Sequence, residues 1–270
     1  MKKITTLILA LLFLAGASLS AYAQEEDKWE AELTTYAFLP SMVLKPTMSN
    51  RSPTNPIEIS FDELLDTFQI FDELYAFSSH FEMWKKWGIL LNLDYIKLED
   101  GGGTGPISGT IDIETLQIDA ALGYKLGKLW LRNSGEKKYA HFIGWAGIQY
   151  NYLKENLGIG LTSGVLPVPG VDLFFGGDER WVELLLGLGV SIPVNEKLTL
   201  AFRGQNASFG VNDGTKENWW VIAGFDYQFS DRWSGKFAYK YWKFNYLSDG
   251  NEVGLDASFE GPWMGVSYHF

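Results

Sequence analysis

From Leu74 to the last residue, apolar and polar side chains alternate with a period of two, and this alternation limits the possible folds more than any other feature. In a strand, successive side chains point to opposite faces. Tyr75, Phe77, Phe81 and Met83 share one face, against Ser78, His80 and Glu82. Trp87, Ile89, Leu91, Leu93 and Tyr95 oppose Asn92 and Asp94. Leu116, Ile118, Ala120, Leu122 and Tyr124 oppose Gln117 and Asp119, and Phe142, Ala146, Ile148 and Tyr150 oppose Gln149 and Asn151. The same phase recurs in Val182 to Ile192 against Glu183, in Leu198 to Phe202 against Arg203 and Gln205, in Trp219 to Phe229 against Asp226, and in Phe237 to Tyr241 against Lys236 and Lys240. Past the N-terminus every apolar stretch is broken by charge, Gly or Pro, so none resembles a helical span.

A soluble sandwich also alternates. Two details favour a membrane barrel. The apolar faces end in Trp, Tyr or Phe, as at Trp87 and Tyr95 or Trp219 and Phe229, matching aromatic belts at the two interfaces. The opposite faces carry Glu82, Asp94, Asp119 and Arg203, which a watered lumen accommodates more readily than a sandwich core. The 11 Trp, 13 Tyr, 18 Phe and 29 Gly suit many strands with aromatic girdles. The fold class expected is all-β: a single transmembrane antiparallel up-and-down β-barrel.

Counting back from the C-terminus places strands near 253–270, 234–247, 217–229, 197–209, 180–193, 139–153, 109–124, 87–98 and 72–84, with Trp29 to Leu39 as the tenth. Eight or twelve strands also satisfy the even count that puts both termini in the periplasm. Short connections at Lys85-Lys86, Pro193 to Lys197 and Ser230 to Arg232 alternate with longer ones, as expected of periplasmic turns and outer loops. Lys125 to Lys138 breaks this pattern, being long, basic and periplasmic. Ser41 to Ile70 reads as an outer excursion, with Pro56 to Ser60 able to extend as a strand. A short helix is expected near 61–68, capped by Ser60 with Glu63 three residues on. It has two equal placements, folded into the lumen or lying over the mouth.

Residues 1–23 read as a signal peptide: Lys2-Lys3, an apolar run from Ile4 to Leu14, and Ala21-Tyr22-Ala23 as cleavage site. The domain expected is therefore 24–270, exported to the outer membrane of a Gram-negative bacterium. Of the chain's formal charge of −11, this segment carries two lysines and no acid, leaving 20 basic against 33 acidic side chains, a net of −13. That balance opposes duplex nucleic-acid binding. With no cysteine, thiolate metal sites and thiol nucleophiles are excluded.

The last strand, Trp263 to Phe270, resembles the terminal signature of bacterial outer-membrane proteins: alternate apolar residues, an aromatic two before the end, and a terminal Phe. Met264, Val266, Tyr268 and Phe270 fill those positions. The resemblance implies reading by the barrel-assembly machinery, with outer-membrane lipid as the surrounding partner. Trp29 with Thr35 to Pro40, Ser60 to Leu65, His80-Phe81-Glu82 with Trp87-Gly88, Tyr239 to Trp242 and Gly261 to Gly265 resemble an uncharacterised, porin-like family of proteobacterial outer-membrane β-barrel proteins. That likeness implies fold and location, and no chemistry.

The site expected is a polar lumen network: Glu32, Glu82, Asp94, Asp119, Glu183 and Asp226 against Arg203, Lys236 and Lys240, joined by cross-barrel ion pairs. Ser78, His80 and Glu82 share this face, but a spacing of two along a strand puts side chains roughly 7 Å apart, too far for a Ser–His hydrogen bond. No catalytic residue, metal or cofactor is therefore expected. The protein reads as a non-catalytic structural barrel or slow small-solute pore. A lipid-modifying outer-membrane enzyme and a loop-mediated binding protein are the alternatives.

Overall fold

A computed structural model describes residues 29–48, 57–59, 73–102, 107–131, 138–161, 172–209, 214–247 and 253–270. The expected signal peptide and the helix expected near 61–68 lie outside these residues. The described strands are β1 (Glu30–Phe38), β2 (Ser41–Met48), β3 (Ile57–Ile59), β4 (Glu73–Trp84), β5 (Trp87–Gly102), β6 (Ile107–Leu131), β7 (Lys138–Leu161), β8 (Asp172–Pro193), β9 (Leu198–Asn206), β10 (Thr215–Gln228), β11 (Trp233–Leu247) and β12 (Val253–His269). Ten of them, β1 and β4 to β12, form a closed antiparallel barrel, sealed where β1 pairs with β12. Ten is the number that counting back from Phe270 gives.

The stagger of the barrel follows from its register. One row of paired residues runs through Glu30, Trp84, Gly88, Gly123, Trp145, Gly187, Gln205, Trp220, Trp242 and Phe259, and returns to Met42, 12 residues beyond its start. With about 3.3 Å per residue and 4.8 Å between strands, this stagger tilts the strands by about 40°. The exposed face from Trp87 to Tyr95 then rises about 20 Å along the axis, near the ~25 Å apolar band of outer-membrane barrels. Leu91, Leu122, Ile148, Leu184, Val221, Phe237 and Val266 are among its exposed members.

Two segments differ from the sequence reading. Ser41 to Met48 is a strand rather than part of a loop excursion: after Leu39-Pro40 the chain keeps its register on β12, so β2 pairs with Val253 to Glu260 and β3 pairs with β2. The anomalous Lys125 to Lys138 connection is mostly strand. β5 starts at Trp87, opposite Tyr124, and β8 pairs with β7 only as far as His141, so beyond a bulge between Lys125 and Gly127 Leu129 to Leu131 and Lys138 to Ala140 pair with each other alone as a two-stranded ribbon.

The interior is a larger correction. A polar inner wall was expected, yet Trp84, Leu90, Ala121, Ile143, Trp145, Leu185 and Ala207 form a buried apolar cluster inside the barrel, with Trp220 against it. Glycine makes room for these indoles. A Cβ on Gly88 would lie 2.2 Å from the Trp84 ring, and one on Gly187 would lie 2.0 Å from the Trp145 ring. A second cluster, Leu153, Trp181, Phe244, Tyr246, Leu255 and Ala257, fills the loop-side end. Trp181 of β8 stacks on Tyr246 of β11 at 4.2 Å between centroids, although two strands stand between them in the barrel. Tilted closure brings inward side chains from non-adjacent strands together, and their contact buries apolar surface.

Candidate functional site

The inward side chains form three layers. Nearest the termini, Lys236 of β11 bonds Glu32 of β1 and lies 3.4 Å from Asp226 of β10. Glu32 also accepts from Thr34 Oγ1 at 2.9 Å. Glu32, Asp226 and His269 bring ligand atoms within 4.8 Å of one another, but the Lys236 ammonium already supplies the positive charge these carboxylates need. His269 Nε2 lies 3.0 Å from Ser234 Oγ and its Nδ1 3.6 Å from Glu32. These contacts follow the order of a Ser–His–acid relay. Ser234 is only 1% exposed, however, so its hydroxyl offers no approach to a substrate.

The middle layer spans the lumen. Arg203 of β9 donates from Nη2 to Glu82 Oε1 at 2.8 Å. β4 and β9 stand five strands apart in either direction round the ten-stranded ring, so the pair crosses its whole width. Glu82 Oε2 accepts from Trp84 Nε1 at 2.9 Å, and His80 Nε2 lies 3.8 Å from Glu82 and 3.5 Å from Arg203 Nη1. His80 is thus part of this charge cluster, on the same inner face as buried Ser78.

Above it lies a layer of amides. Asp119 accepts from Gln149 Nε2 at 2.9 Å and from Gln205 Nε2 at 3.0 Å. Gln205 Oε1 in turn accepts from Trp145 Nε1 at 2.9 Å. Asn218 donates to Gln149 and accepts from Trp242 Nε1 at 3.0 Å. Asp94 accepts from Tyr36 Oη and Asn92 Nδ2, both at 2.7 Å. Glu183 is fully buried opposite Gln149 in register. Gln149, Glu183 and Asn218 are at most 1% exposed. Asp119, Gln149, Gln205 and Asn218 hold one another in place, because each bonded atom loses its partner if it moves.

Below this layer lies a cavity of about 650 Å³. Trp29, Pro193, Gln228 and Phe270 stand at its mouth, at the end of the termini, while Tyr36, Asn92, Asp119, Gln205, Trp220 and Lys240 line its blind end. Among the described residues no carboxylate oxygen lies within 4 Å of the Lys240 ammonium, which stands 5.2 Å from the Phe38 ring, 5.5 Å from Trp220 and 5.8 Å from Trp242. The structure thus joins Glu82 to Arg203 and Glu32 to Lys236 and Asp226, sets Asp94, Asp119 and Glu183 among neutral donors or in the amide layer, and places Lys240 among rings. Met264 and Val266 are exposed on the outer face with Phe270, whose ring meets that of Tyr268 at 5.0 Å.

Trp84, Trp145 and Trp181 were missed as lumen residues. Parity alone puts Trp145 inward, since Ala146 and Ile148 face out. Its size and amphipathic ring point instead to a belt position, and only the glycine opposite it signals an indole folded inside.

No family model and no curated protein matches this sequence. Among solved structures, the outer membrane protease OmpT of Escherichia coli superposes with a TM-score of 0.50 at 10% identity, over 93% of this chain and 99% of that one. The translocator domain of the autotransporter NalP of Neisseria meningitidis is similar with a TM-score of 0.41 and 14% identity, over 98% of this chain and 96% of that one. The attachment invasion locus protein Ail of Yersinia pestis gives 0.32 and 8%, over 90% and 99%. The fold of this chain is that of the bacterial outer-membrane β-barrels.

Proposed function

We propose that this chain is a non-catalytic integral barrel of a Gram-negative outer membrane, exported by its N-terminal segment, inserted by the barrel-assembly machinery, and closed to free diffusion. The observation that carries this reading is the bonded layer of Asp119, Gln149, Gln205 and Asn218 across the lumen. Ten strands leave little room beyond their own side chains; open aqueous channels belong to barrels of about sixteen. The exposed apolar band contacts lipid, and the cavity faces the periplasm because Trp29 and Phe270, the first and last described residues, lie at its mouth. Passage of a small solute requires the amide layer to open, so any flux is slow. Purified protein in planar lipid bilayers is expected to give no discrete conductance steps. Regular steps of constant size would overturn the closed-lumen reading. Lipid A from cells overproducing the protein is expected to keep its mass, and a loss of acyl chains would overturn the non-catalytic one.

A further inference from the structure

Among the described residues, the inward cations Arg203, Lys236 and Lys240 are not equivalent. Arg203 and Lys236 are each bonded to carboxylates. Lys240 has three aromatic rings around it and no carboxylate within 4 Å among the described residues. Cation–π contact recovers part of the cost of desolvating an ammonium, and a counter-charge recovers more. Asp119 shares the blind end of the cavity, but its oxygens are held by the amides of Gln149 and Gln205. Below Lys240 one side of the wall is apolar, with Trp84, Leu90, Ile143, Trp145 and Trp220, while the mutually neutralised Glu82–Arg203 pair lines the same space. The volume of about 650 Å³ lies within the size range of small-molecule sites. One end of the space thus offers a positive charge that no described carboxylate contacts, and the apolar side below it favours an uncharged body.

We propose that this cavity binds a small amphiphilic monoanion entering from the periplasmic end, a carboxylate with an aromatic or short aliphatic body. Its head meets the Lys240 ammonium and its body lies against Ile143, Trp145 and Trp220. A neutral analogue buries the same apolar surface but leaves Lys240 without a counter-charge, so the acid binds better than the alcohol of equal length. The proposal deepens the closed-lumen reading and rests on it only for the periplasmic route of entry.

The test is isothermal titration of the full chain in lipid nanodiscs with 4-phenylbutyrate and with 4-phenylbutan-1-ol, subtracting titrations of empty discs. The acid is expected to bind at least about tenfold more tightly than the alcohol. Lys240→Met keeps the stem against Trp220 and is expected to abolish the preference, while Lys240→Arg retains it. Ala201→Phe, lower on the cavity wall, is expected to weaken both ligands. Equal affinity for acid and alcohol, a preference that survives in Lys240→Met, or no acid binding by the unaltered chain would each overturn the proposal. If Lys240→Met does not fold, the acid–alcohol comparison and Ala201→Phe decide. Conductance steps in a protein that still prefers the acid would sink the closed lumen and leave this site standing.

Discussion

Replacing Arg203 by Met tests whether charge holds the lumen together. Methionine keeps much of the volume and removes the guanidinium. Glu82, with a side chain 7% exposed, then loses its 2.8 Å charged donor. It keeps the Trp84 indole at 2.9 Å and His80 at 3.8 Å. Removing one partner of a buried pair typically costs about 3–5 kcal/mol, because the other charge stays buried without compensation. Arg203 is 22% exposed to a cavity that admits water, so the lower end applies, about 3 kcal/mol. A solvent-exposed pair would contribute about 0–1 kcal/mol. With a urea slope of about 2 kcal/mol/M, the midpoint falls by about 1.5 M. The assay is urea unfolding in lipid vesicles, with the folded fraction read from gel mobility before and after boiling. The double variant Glu82→Gln/Arg203→Met is expected to regain more than half of the loss, since no charge remains stranded. A midpoint shift below about 0.3 M, or a double variant less stable than Arg203→Met, would refute the reasoning.

Three further outcomes are expected. In the loop-side extension of β6 and β7, beyond the lipid band, the 2.6 Å hydrogen bond from Lys154 holds the Asp112 carboxyl below its ordinary 3.8. A lowered folded-state pKa means the pair stabilises above about pH 4 and its contribution is lost as pH falls through the lowered value, so amide exchange there should accelerate on acidification below about pH 4 relative to neighbouring strands, a step absent from Asp112→Asn. Gly187→Ala puts a methyl 2.0 Å from the Trp145 ring and breaks its 2.9 Å bond to Gln205, for about 1–3 kcal/mol in urea unfolding; an unchanged midpoint would mean the indole is not packed there. Phe270→Ala removes a ring that is 73% exposed, so equilibrium stability should change by less than about 1 kcal/mol, while the amount assembled in the outer membrane of cells falls; normal assembly would remove the role assigned to this terminus.

The phase of every barrel strand was legible in the sequence, because alternation is a two-residue property of the backbone and needs no knowledge of neighbours. Leu184 and Leu186 outward, Glu183 inward, and Met264, Val266 and Phe270 outward all follow from it. So did the number of barrel strands, since each apolar run ends at a turn or a loop. Ser41 to Met48 was not legible, because its pairing depends on β12 continuing beyond the point where β1 leaves it. Nor was the β6–β7 ribbon, which exists only where β5 and β8 have ended.

The interior divides along the same line. That Glu82, Asp119, Arg203 and Lys236 face inward is written in the alternation. That Arg203 meets Glu82, that Asp119 is held by two glutamines, and that Lys240 has rings for neighbours is not. Those pairings are set by the 12-residue stagger accumulated around the closed barrel, which decides what lies at equal depth. Stagger is a property of all ten pairings together, so no local pattern encodes it. The chain determines alone which side chains enter the lumen, and closure determines which of them meet.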